Sequence, residues 1–144
     1  MFITDSHRQQ IRTYLNAMEQ QFDVLQRLKP HSFEDFEQNP VLQAAGERSL
    51  HIALECLTDI GNIIIDALIM RDPASYEDIF DILTEEGVFT QAFHDHFIET
   101  VRFRKGLAHE YLTLQTATVY QQVQKHADDY ETLRDSIARY VKLA

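Results

Sequence analysis

The chain is poor in several kinds of residue. It has one cysteine, no tryptophan, four glycines and three prolines in 144 residues. A single thiol, Cys56, excludes an internal disulfide, so a reducing compartment is the expectation. Few helix breakers leave long stretches uninterrupted, which argues against a turn-rich β architecture and for helices. Long apolar runs are missing as well. The most apolar stretch, IIIDALIM at 63–70, is interrupted by Asp66 and falls far short of the ~20 residues that cross a bilayer. The opening MFITDSHRQQ is polar and carries no targeting pattern, so a soluble, cytoplasmic protein without membrane contact is expected. Cations are scarce: 13 Lys and Arg stand against 23 Asp and Glu, a formal charge of −10. That balance argues against a protein that coats long nucleic acid. It leaves room for an enzyme that touches one phosphate briefly, and it suits a basic partner.

What is present is periodic. Apolar residues make up 44% of the chain, and a length of 144 suits one domain with one core. Ile11, Leu15, Met18, Phe22 and Leu25 recur at helical spacing, predicting a first helix from about Ser6 to Leu28 with Ser6 and Gln9 as capping box. The linker HSFEDFEQ has room for one helical turn. Asn39-Pro40 starts a second helix, predicted to run to Met70 and apolar over most of its circumference. A narrow polar line remains on it: Arg48, His51, Glu55, Asp59, Asn62 and Asp66. Ser75 caps a short helix predicted over Tyr76 to Glu85, ended by Gly87. A further helix is predicted from Phe89 to Leu107, and a last one from Ala117 to Lys142. The expected fold is all-α, an antiparallel bundle of four long helices plus one or two short ones.

One stretch breaks the acidic pattern: RFRKGLAHEY, residues 102–111. The inner stripe of its helix is Phe89, Phe93, Phe97, Thr100 and Val101, and the next inward position is Arg104. A buried arginine needs an anion, because leaving its charge unpaired away from water is costly. Glu55 or Asp59 on the polar line could supply a carboxylate. The alternative is a frayed helix end from which the guanidinium reaches water. Residues five apart on a helix point about 140° apart, so Arg104 and His109 converge only if the helix ends between them, and Gly106 permits that. His109 and Tyr111 are then expected on the turn between two helices, facing one way if that turn is locally extended. Other chemistry finds no footing. There is no P-loop, no GxGxxG and no GxSxG. Cys56 is expected buried and inert. His94 and His96 fall on opposite sides of their helix, His51 with Glu55 is too small a set for zinc, and no metal or cofactor is expected.

Arg104, four residues, His109, Glu110 and Tyr111 read R-x4-H-x-Y. This resembles the motif of the HEPN superfamily, in its HepT-like (DUF86) toxin branch. GERSL at 46–50, SYEDIF at 75–80 and LTEEG at 83–87, in this helix order, extend the resemblance over nearly the whole chain. The resemblance implies a metal-independent endoribonuclease acting as the toxin of a type VII toxin–antitoxin pair. It implies a homodimer with two motifs in a shared cleft, RNA as substrate, and an MNT-type nucleotidyltransferase antitoxin that transfers AMP to the motif tyrosine. Carried over, Arg104 and His109 are the catalytic pair and Tyr111 the modified residue. Arg102 and Lys105 are phosphate-contact candidates, with Arg48, Glu55 and Asp59 as a supporting polar face. Lys105 departs from the family's usual Asn after the arginine. A second reading follows: a HEPN-type module that binds a nucleotidyltransferase or nucleic acid without cutting.

Overall fold

The computed structural model describes residues 2–143, which form seven helices and, among the described residues, no strand. They are α1 (Asp5–Leu28), α2 (Phe33–Gln38), α3 (Pro40–Leu68), α4 (Tyr76–Glu85), α5 (Gln91–His109), α6 (Thr116–His126) and α7 (Asp129–Tyr140). The long segments pack as the expected all-α bundle, with α2 and α4 as the short members. α3 is central and touches α1, α2, α4, α5 and α6.

The apolar periods bury the faces they predict. Ile11, Leu15, Met18 and Leu25 of α1 lie against α3, whose Leu50, Ala53, Leu57, Ile60 and Ile64 are buried in turn. Asn39 caps α3 through Oδ1, which accepts from the N–H groups of Val41 and Leu42, with Pro40 in the first turn. The linker turn is the six-residue α2, capped by Ser32.

Several boundaries differ from the expected ones; α3 ends at Leu68, short of Met70, and α5 runs on to His109, past Leu107. α1 is capped by Thr4, not Ser6; Thr4 Oγ1 accepts from the His7 N–H while the His7 ring takes the Thr4 N–H, so a histidine closes the box. α5 begins at Gln91 behind a Thr90 cap, two residues later than expected. The last helix is two helices. No Pro or Gly marks the break, and Ala127 and Asp128 keep right-handed helical angles. Tertiary side-chain bonds coincide with the break instead: Gln26 and Lys29 at the end of α1 both donate to the Asp128 carboxylate at 2.7 Å. The apolar period runs through the break unbroken, since Val123, Ala127, Tyr130, Leu133 and Ile137 are all buried.

Two close approaches set α4. Gly61 of α3 lets the α4 backbone come so near that a Cβ there would meet Ile79 Cγ2 at 2.4 Å. Phe80 packs on Phe89, Phe93 and Phe97, joining α4 to α5. Gly87, at φ 89°, turns the chain between them in the left-handed region that favours glycine.

Candidate functional site

Arg104 points inward, as the stripe of α5 requires, and only 8% of it is exposed. Its Nε lies 2.7 Å from Glu55 Oε1 on α3. The N–H does not aim at that oxygen, so the contact is an ion pair and not an aligned hydrogen bond. The Tyr76 ring covers the guanidinium, with Cζ 3.6 Å from the ring centroid. A cation over an aromatic face is attracted by the ring's negative π surface. Tyr76 was missed by sequence reasoning. Its signal is local: it is the first residue after the Ser75 cap, whose Oγ accepts from the Asp78 N–H, so its place is dictated by the start of α4.

The rest of the polar line on α3 is divided. His51 Nε2 lies 3.4 Å from Glu55 Oε1 and so joins the Arg104 side. Burial, together with the Glu55 charge, pushes the Asp59 carboxyl up, while Arg104 pulls it down. Arg104 thus sits beside two carboxylates one helical turn apart. Arg48 is exposed, outside this group. Cys56 is 5% exposed, and burial with the charges of Asp59 and Glu55 pushes its thiol up to about 11. A thiol so placed is a packing group, because the thiolate is the nucleophile.

Beyond Arg104, the motif departs from expectation. α5 continues through Gly106 and ends at His109. Gly106 does not open the helix, and Arg104 and His109 do not converge on one point. The 110–113 segment is a turn closed by the Thr113 N–H on the Glu110 carbonyl, 3.0 Å, and is not extended. Both motif residues nonetheless line one cavity of about 510 Å³, with Tyr76, Arg102 and Lys105 also in its wall. Arg102 is held on its outer side by Glu77, and Lys105 has no ion pair among the described residues. His109 is exposed, and no side chain among the described residues bonds its ring. Tyr111, 73% exposed, stands outside the cavity wall beside the still more open Leu112. The cavity therefore joins a buried, oriented guanidinium, a free ammonium and an accessible imidazole, which can hold an anion and move a proton next to it.

An all-helical bundle with this cavity defines a class, and comparison with known proteins names it. A family model described as "Ribonuclease HepT-like" matches residues 14–137. The chain belongs to the ribonuclease HepT-like family, within the HEPN superfamily. It is 34% identical over 105 residues to the Bacillus subtilis protein YutE, covering 73% of each. Over 102 residues it is 30% identical to the "mRNA nuclease HepT" of Shewanella oneidensis, covering 71% of this chain and 77% of that protein. Among solved structures, that of YutE, described as a cytosolic protein of unknown function, superposes with a TM-score of 0.84 at 30% identity, covering 99% of this chain and 94% of that one. A tri-AMPylated HEPN toxin of Shewanella oneidensis in complex with MNT antitoxin superposes with a TM-score of 0.78 at 26% identity, covering 90% and 96%. No helix among the described residues is long and apolar enough to cross a membrane.

Proposed function

We propose that this chain is the toxin of a toxin–antitoxin pair and an endoribonuclease that needs no metal for the cleavage step, with Arg104 and His109 as its catalytic residues. The observation that carries the reading is the single cavity wall shared by Arg104, Lys105 and His109. Arg104, held by Glu55 and Tyr76, binds the scissile phosphate and offsets the charge that grows on its oxygens. The 2′-hydroxyl of the RNA attacks phosphorus, the bond to the 5′-oxygen breaks, and a cyclic phosphate forms. One imidazole takes the 2′-proton and another gives a proton to the leaving oxygen. One chain supplies one His109. A homodimer that faces two cavities together supplies both, and the exposed His109, Tyr111 and Leu112 are available for such an interface. Arg102 and Lys105 add phosphate contacts at the rim.

Tyr111 is the acceptor of AMP from an MNT-type nucleotidyltransferase antitoxin. Its exposure suits it to a partner's active site, and the added anionic group would repel RNA phosphate from the cavity. The acidic outer surface, at −10 overall, would attract a basic partner face.

His109→Ala is the clean test, because His109 is exposed and its ring is bonded to no side chain among the described residues. Cleavage of RNA in EDTA and growth arrest on expression are both expected to be lost, by about a hundredfold or more in rate. Cleavage at the parent rate would overturn the mechanism. Lys105 favours a second reading, a partner-binding module that does not cut. Parent protein that binds the nucleotidyltransferase but cleaves no RNA would establish it.

A further inference from the structure

Away from the cavity, a second set of chemical groups meets where α5 passes the break between α6 and α7. His96 of α5, His126 at the end of α6 and Asp129 at the start of α7 each direct a donor atom to one point. His126 Nδ1 is 2.7 Å, and His96 Nε2 2.8 Å, from the same Asp129 Oδ2. Sequence spacing marks no such set, since His96 is thirty residues before its partners.

His126 is fully buried, and its ring lies between two carboxylates. Nδ1 faces Asp129, while Nε2 lies 3.3 Å from Glu99 Oε2 without an aligned hydrogen bond. A neutral imidazole has one N–H, so it can satisfy only one of these acceptors and turns a lone pair on the other. A cation at Nδ1 removes the conflict: the single proton then sits on Nε2 and faces Glu99. That is the arrangement in which metal-bound histidines usually occur, with the distal N–H on a carboxylate. Lys125 pairs with the same Glu99 Oε2 and holds that carboxylate in place.

We propose that His96 Nε2, His126 Nδ1 and an Asp129 carboxylate oxygen form a site for a borderline transition-metal ion of the Zn²⁺ class, with Glu99 orienting His126. Two imidazoles and one carboxylate suit that class and not Mg²⁺ or Ca²⁺, which prefer oxygen ligands. Bonds of about 2.0–2.1 Å at tetrahedral angles need ligand atoms about 3.3 Å apart. The hydrogen-bonded separations must open by about half an ångström, and His96, with 44% of its side chain exposed, has room to turn. The same exposure leaves a fourth position for water. The ion would clamp α5 to the α6–α7 junction, about 12 Å along the helix from Arg104.

The test uses the full chain, stripped with EDTA and dialysed, then titrated with Zn²⁺ by calorimetry and with Co²⁺ by visible absorption. One equivalent per chain is expected, with Co²⁺ bands of a four- or five-coordinate ion and a raised melting temperature. His96→Ala, at an exposed position, and Asp129→Asn, which keeps the side chain's size, are expected to weaken uptake by at least about tenfold and to abolish the thermal shift. His94→Ala, altering the neighbouring histidine that bonds Asp81 and Asp95, is expected to change neither. A parent chain without the Co²⁺ bands, or an His96→Ala chain that binds as tightly as the parent, would overturn the site.

Discussion

At Arg104, α5 is buried, paired with Glu55 and covered by Tyr76; five residues later, at His109, the same helix is open to water and its ring is bonded to no described side chain. The two residues belong to one motif, yet the chain spends core structure on only one of them. In the proposed mechanism a guanidinium already fixed by the fold meets the phosphate without reorganising, so its orientation costs nothing at the moment of reaction. In the proposed mechanism the imidazole exchanges protons with a substrate and, in the proposed dimer, shares the work with a second copy, and His109 is accessible as that requires. The half-built site of one chain is what a site completed by another molecule should look like.

The largest difference between the two residues is expected on removal of Arg104. In Arg104→Ala, Glu55 loses its ion-pair partner and Asp59, one turn away, loses a nearby cation. Breaking a fully buried pair costs about 3–5 kcal/mol. Glu55 is 34% exposed at its side chain, so solvent screening reduces the expected loss to about 2 kcal/mol. His109→Ala is expected to stay within about 0.5 kcal/mol of the parent. Urea unfolding of the two variants measures both. Equal losses would mean that the buried arginine is not an anchor.

How far this contrast was legible in advance depends on which forces set each part. The inward direction of Arg104 follows from the apolar period of α5, and Glu55 as a carboxylate on the facing polar line follows from the period of α3. Asn39-Pro40 and Ser75 mark helix starts because capping is chemistry local to a few residues. Tyr76 over Arg104 depends on how α4 is set against α3 and α5, which no local spacing encodes. The break at 127–128 was invisible because its backbone stays helical and its apolar stripe continues; the bonds that coincide with it come from α1, about a hundred residues earlier. Gly106 misled for the opposite reason. Glycine weakens a helix by only about 1 kcal/mol, and the packing of α5 on either side overrides that.

The placement of Tyr76 gives the next test. Gly61→Ala puts a methyl group where Ile79 Cγ2 already lies, 2.4 Å away. Ile79 is buried and β-branched, so it cannot swing aside cheaply; α4 must back off and carry Tyr76 with it. A loss of about 1–3 kcal/mol is expected, the range for overpacked cores. A variant as stable as the parent would show that α4 yields freely, and that it cannot be what holds Tyr76 on the guanidinium.

The smallest expected effect has the opposite sign and tests the other half of the contrast. Gly106 lies inside α5 with helical geometry, and a Cβ there would meet nothing closer than Leu114 Cδ1 at 3.6 Å. Alanine fits without displacement and loses less backbone entropy on folding. Gly106→Ala should therefore stabilise the chain by about 0.5–1 kcal/mol. It should also leave RNA cleavage unchanged, since the cavity wall from Arg104 to His109 is already one unbroken helix. A gain in stability with a loss of cleavage would mean that the helix opens at Gly106 in the working state, drawing His109 toward Arg104. Arginine and histidine would then meet only during the reaction, and the exposed end of α5 would be a moving part and not a waiting one.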